Sequence, residues 1–190
     1  MRRPGLVAVG ASWGGPQALG QLLGQLRPDF ATPVVVVQHR GPSAPEGAMS
    51  GYLAGWCALR ILDAEDKDRL EPGHVYLAPP DYHLLVDGDS LALSLEAPVA
   101  YSRPSVDVLF ESCADCFGPD LVAVVLTGAN SDGSRGVVKV RAAGGRVLVQ
   151  DPAEAERPEM PMAAIATGAV DEVLDLMGLA IRLNDMDRGE

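Results

Sequence analysis

The sequence predicts an α/β fold, a doubly wound and mostly parallel sheet flanked by helices. Three observations carry this expectation. Short apolar runs rich in β-branched residues recur along the chain, longer amphipathic stretches separate them, and one pair of apolar stretches flanks a tight-turn sequence. The chain has 190 residues, against a usual domain size of roughly 100–150, so residues 1–190 are expected to form one domain.

The strands come first. Leu6-Val7-Ala8-Val9-Gly10, Val34–Gln38, Leu121–Leu126 and Arg146–Gln150 show no clean alternation of apolar and polar residues, as expected of strands covered on both faces. Val75–Ala78 is a further strand. Between the first two runs, Leu19, Leu22, Leu23 and Leu26 recur at i, i+3, i+4 and i+7 behind Pro16; proline suits a first helical turn, so the spacing predicts a helix. Segments 45–56, 105–117 and 133–143 are the other helix candidates, the last stopped by Gly144-Gly145. Asp87-Gly88-Asp89-Ser90 lies between two apolar stretches and predicts an antiparallel hairpin near residues 82–95, at one sheet edge. Residues 151–161 hold three prolines and four acids and are expected to form an exposed loop.

Composition excludes several functions. The formal net charge is −11, with +3 on residues 1–60 and −14 on the remainder, which argues against nucleic acid as a partner because phosphate binding needs a basic face. The longest apolar runs, Val34–Val37 and Leu121–Leu126, fall far short of the ~20 residues that span a bilayer, so no membrane insertion is expected. With no signal-peptide pattern, and three cysteines rather than a disulfide framework, the expected location is cytoplasmic. Cys113-Ala114-Asp115-Cys116 lacks a second pair and a histidine at ligand spacing, so packed thiols are expected rather than a metal site. The five acids within Asp63–Glu71 lack the regular spacing of a calcium loop and read as a solvated connection.

Gly10-Ala11-Ser12-Trp13-Gly14 matches G-x-S-x-G between a predicted strand and a predicted helix. That context holds a serine on a tight turn with its hydroxyl exposed above the sheet edge. The same context also suits a glycine turn that cradles an anion at a helix N-terminus. A serine nucleophile needs a base, and histidine is the usual one. Of the three histidines, His39 directly follows the second strand, whereas His74 and His83 read as structural or surface residues. Ligand groups of open α/β sheets gather beyond the carboxyl ends of strands, the edge that Ser12 and His39 share. Asp132, in the Gly-bounded loop after Leu121–Leu126, brings a carboxylate to the same edge; position alone favours an N-cap of helix 133–143 over a catalytic carboxylate.

These residues resemble the catalytic domain of the chemotaxis protein-glutamate methylesterases from about residue 6 to about residue 178. The marks are Val9-Gly10-Ala11-Ser12-x-Gly14-Gly15-Pro16, Gln38-His39, Pro72 through Pro80 with His83, and Arg103-Pro104-Ser105-Val106-Asp107. Leu126-Thr127-Gly128 through Asp132-Gly133, Met160-Pro161 and Gly168-Ala169-Val170-Asp171 follow in order. The resemblance implies a serine hydrolase with Ser12 as nucleophile, His39 as general base and Asp132 orienting His39. It implies hydrolysis of glutamate γ-methyl esters on the cytoplasmic domains of chemoreceptors, in some members also glutamine deamidation, without metal or organic cofactor. Backbone N–H groups of Trp13 and of the 128–130 loop, which holds Ala129 and Asn130, would meet the oxyanion, and Arg103 would line the substrate side or form a surface ion pair. Trp13, Ala129 and Asn130 stand where the family pattern has Thr, Met and Gly, which implies a reshaped pocket. Family members often carry a receiver domain ahead of this one, so control by a separate receiver protein is a further expectation. Two alternatives stay open: a catalytically silent binding module of the same fold, and an esterase for a different ester.

Overall fold

A computed structural model describes residues 3–190. Seven strands form one sheet: β1 (Leu6–Ala11), β2 (Val34–Gln38), β3 (Arg60–Asp63), β4 (His74–Leu77), β7 (Leu121–Val125), β8 (Arg146–Gln150) and β9 (Glu172–Leu174). Their order is β3-β4-β2-β1-β7-β8-β9, and every pairing is parallel. The antiparallel element is separate. Strands β5 (His83–Asp87) and β6 (Ser90–Ser94) pair as a two-stranded hairpin across the expected turn.

Strand parity sorts the core into two layers. Leu6 and Ala8 of β1 face the side covered by α3 (Val106–Phe117), α4 (Ser134–Ala142) and α5 (Glu159–Ala166), where they join Phe110, Val137 and Met160. Val7 and Val9 face α1 (Gly15–Gly24), α2 (Ala48–Ala54) and α6 (Leu176–Arg188), where they meet Leu19, Leu53 and Leu183. A period of two thus turns a continuous apolar run into a strand buried on both faces.

From β1 the chain first builds outward through β2, then returns to lay β7 on the other side of β1. This reversal opens a crevice at the carboxyl ends of β1 and β7, the place where such sheets bind ligands. Gly10 is required here by close approach: a Cβ would lie 2.2 Å from Val106 Cγ1 of α3. Gly10→Ala is expected to destabilise the fold by about 1–3 kcal/mol through overpacking, read as a lower urea midpoint with unchanged slope.

Two sequence expectations need correction. Residues 151–161 are not wholly an exposed loop, because α5 begins at Glu159 and buries Met160 and Pro161. Pro158 is the N-cap and Pro161 falls in the first turn, where a missing N–H costs no helical hydrogen bond. Asp132 does not cap α4 either; Gly133 holds that position, with no side-chain cap. The other helices form with trimmed ends, 45–56 shrinking to Ala48–Ala54 and 105–117 starting after Ser105, whose side chain accepts from the Val108 N–H. Gly144, at φ 87°, follows the C-cap of α4.

Candidate active site

Three strand ends build the site. Ser12 follows β1, where its N–H donates to the Thr127 carbonyl (3.0 Å), and His39 follows β2, where its N–H donates to the Ala11 carbonyl (3.0 Å). Asp132 lies beyond β7. The β1 and β2 ends are tied together by Gln38, whose side-chain amide donates to the carbonyls of Ser12 (2.8 Å) and His39 (3.0 Å). Thr127 clamps the serine turn to the 157 segment: its hydroxyl donates to the Trp13 carbonyl and accepts from the Arg157 N–H, both at 2.9 Å.

The His39 ring meets Asp132 with Nε2 at 2.7 Å from Oδ2. Ser12 and His39 line one cleft of about 490 Å³, with Asn130, Arg40, Tyr101 and Arg103 on its walls. Ser12 Oγ makes no hydrogen bond among the described residues. A resting-state serine–histidine bond is not required, because such contacts often tighten only in the substrate complex.

Asp132 is buried and fully engaged. Its Oδ2 accepts from the Val106 N–H (2.7 Å) as well as from His39; its Oδ1 accepts from the Ser105 hydroxyl (2.9 Å) and the Asp107 and Gly133 N–H groups (3.0 Å each). Burial alone would raise this carboxyl, but the hydrogen bonds from His39 and from the Asp107 and Val106 N–H groups outweigh it and hold the group below its ordinary 3.8. The carboxylate thus sits at the amino end of α3, where partial positive charge also favours an anion. Asp107 returns the favour, accepting from the Gly136 N–H of α4 at 2.8 Å. The carboxylate caps the neighbouring helix rather than its own, which no local reading of the 132–133 segment could reveal.

A family model described as CheB methylesterase matches residues 7–183. The chain belongs to the CheB methylesterase family. A Myxococcus xanthus protein named protein-glutamate methylesterase/protein-glutamine glutaminase 4 is 44% identical over 188 residues, 98% of this chain but 53% of its own length. A Leptospira interrogans protein whose name carries the same two activities is 42% identical over 175 residues, 92% of this chain and 90% of its own length. The crystal structure of the Thermotoga maritima CheB methylesterase catalytic domain superposes with a TM-score of 0.91 at 30% identity, covering 98% of this chain and 99% of that one.

Within this CheB methylesterase framework the remaining sequence candidates have definite places. The Trp13 indole is 60% exposed and turned away from the cleft: its Nε1 donates to Glu156 (2.8 Å) and the Arg157 guanidinium lies 5.7 Å above the ring. Ala129 is exposed on the loop after β7. Among the described residues neither the Trp13 nor the Ala129 N–H donates to a protein acceptor, whereas the Gly128 N–H is committed to the Arg157 carbonyl (3.0 Å). Arg103 lines the cleft, and its Nε and Nη2 donate to Asp81 (3.1 and 2.6 Å) and its Nη1 to the carbonyls of Leu95 and Glu96.

Residues that the sequence did not mark as site groups complete the support. Ser105 bonds Asp132 through its hydroxyl, and its N–H donates to His83 Nδ1 (3.2 Å). Buried His83 then donates from Nε2 to the Ala97 carbonyl (3.2 Å), so it is a structural link one residue removed from the carboxylate. Cys113 is buried, which drives its thiol well above the ordinary range, and the neighbouring Cys116 adds to the rise; it packs rather than reacts. No helix among the described residues is long and apolar enough to cross a membrane.

Proposed function

We propose that this chain removes methyl groups from glutamate γ-methyl esters on chemoreceptor cytoplasmic domains, and that the same site deamidates glutamine there. The observation that carries the reading is the short His39–Asp132 contact at the cleft that Ser12 lines, in a chain of this family.

Ser12 Oγ attacks the ester carbonyl while His39 Nδ1, the ring nitrogen away from Asp132, takes its proton. The oxyanion is met by the N–H groups of Trp13 and of Ala129 or Asn130. Their backbone origin explains how the Trp13 and Ala129 replacements can leave this function intact. Collapse of the tetrahedral intermediate breaks the bond to methoxide, which leaves as methanol with the proton from His39. Water then gives a proton to His39 and its oxygen to the acyl carbon, releasing the glutamate side chain and returning the proton to Ser12. For a glutamine side chain, ammonia takes the place of methanol.

The test is methanol release from methylated receptor fragments, compared with turnover of small methyl esters. The expected result is higher kcat/KM on the receptor. Turnover of small esters alone favours an esterase with another substrate, and no turnover of either overturns the enzymatic reading in favour of a silent binding module.

A further inference from the structure

We infer that Asn130 is a positioning residue that fixes the tautomer of His39 and occupies its basic nitrogen before the reaction begins. The inference rests on the proposed role of His39 as general base. Asn130 stands in the loop after β7, half-buried beside the cleft.

The geometry leaves little freedom. Asn130 Oδ1 accepts from the Asp132 N–H at 3.1 Å. A backbone N–H only donates, so the amide atom it meets must be the oxygen and the other must be the nitrogen. That nitrogen, Nδ2, lies 3.3 Å from His39 Nδ1. An amide nitrogen only donates, so Nδ1 of the neutral ring carries the lone pair, and the ring proton sits on Nε2 at 2.7 Å from Asp132 Oδ2. Two partners on opposite sides of the ring therefore select the same tautomer, the one that presents an unprotonated Nδ1.

Among the described residues Asn130 is the only group hydrogen-bonded to that nitrogen. The charged groups around the ring are Asp132 at Nε2, with Arg40 and the Arg103–Asp81 pair on the cleft walls. When Ser12 Oγ passes its proton to Nδ1, the new N–H faces the Asn130 N–H and two donors oppose each other. Asn130 must then swing aside as Ser12 takes its place. Until it moves, the Asn130 amide occupies the nitrogen that the Ser12 proton must reach.

The experiment is a pH titration of ¹⁵N-histidine-labelled protein by NMR, with Ser12 labelling by a serine-directed phosphonate run in parallel. In the wild-type protein at high pH, His39 Nδ1 is expected to give an unprotonated, pyridine-type signal and Nε2 a protonated one. Asn130→Asp keeps the acceptor for the Asp132 N–H but sets a carboxylate against Nδ1, so the His39 midpoint is expected to rise by about one to three in pH; Asn130→Ala raises it less. A protonated Nδ1 in the neutral wild-type ring, or an unmoved midpoint in both variants, overturns the inference. The wild-type spectrum decides the tautomer even where a variant fails to fold. Rapid Ser12 labelling with an unmoved midpoint counts against Asn130 alone. A moved midpoint without labelling upholds the Asn130 contact and counts against the catalytic reading.

Discussion

Ser12→Ala is expected to lower methanol release by on the order of 10⁶, the scale seen when a serine nucleophile is removed from a hydrolase that acts through a covalent intermediate. The fold should be unaffected, because the side chain of Ser12 makes no hydrogen bond among the described residues while its backbone bonds to Thr127 and Gln38 persist. Equal thermal midpoints for the two proteins would separate loss of chemistry from loss of structure. The residual rate would report the oxyanion donors and substrate binding, which need no hydroxyl. A variant retaining more than a hundredth of the wild-type rate contradicts Ser12 as nucleophile.

Asp132→Asn is expected to cost about 10⁴ in turnover, by analogy with other triads. An amide nitrogen at the Oδ2 position would donate to His39 Nε2 and drive the ring proton onto Nδ1, so the base would face Ser12 already protonated. If the amide turns its oxygen to His39 instead, its nitrogen opposes the hydroxyl of Ser105 and the N–H groups of Asp107 and Gly133. Either arrangement buries mismatched donors and should destabilise the protein by about 1–3 kcal/mol. The carboxyl is held below 3.8 in the folded protein. Its stabilisation is therefore present above the unfolded value and lost as the pH falls through the folded one. The stability gap between wild type and Asp132→Asn should narrow as the pH falls below about 4, as measured by urea unfolding across acidic pH.

The legible parts of the fold were those whose local chemistry and tertiary setting agree. Val34–Gln38 and Leu121–Val125 have the continuous apolar character that double-sided burial demands, and Leu19, Leu22 and Leu23 mark one helical stripe. Edge strands were harder to see: β3 has charged ends, and β9 is three residues long and holds an exposed Val173. The helix α6 also lacked a clear stripe, since its buried residues include Asp187, which accepts from the Thr32 hydroxyl and N–H. Pro158 and Pro161 looked like breakers because their places, at the N-cap and in the first turn of α5, depend on where the helix starts.

At the site, strand ends brought Ser12, His39 and Asp132 to one edge in the sequence reading because parallel strands deliver their carboxyl ends to the same side. What could not be read was contact across the sheet. Asp132 takes two of its three backbone partners from α3, 25 and 26 residues away, and Ser105 offered no signal beyond that of an ordinary helix cap. The side chain of Trp13 defied expectation for a similar reason, since its partners Glu156 and Arg157 lie more than 140 residues along the chain.

The most direct measurement is the rate of phosphonate attachment in wild-type protein and in His39→Gln, with the modified residue located by mass spectrometry. One phosphonate per chain is expected, on Ser12, at a rate that collapses when the imidazole is replaced. Attachment at equal rates in both proteins, or on a residue other than Ser12, would contradict a serine nucleophile activated by His39.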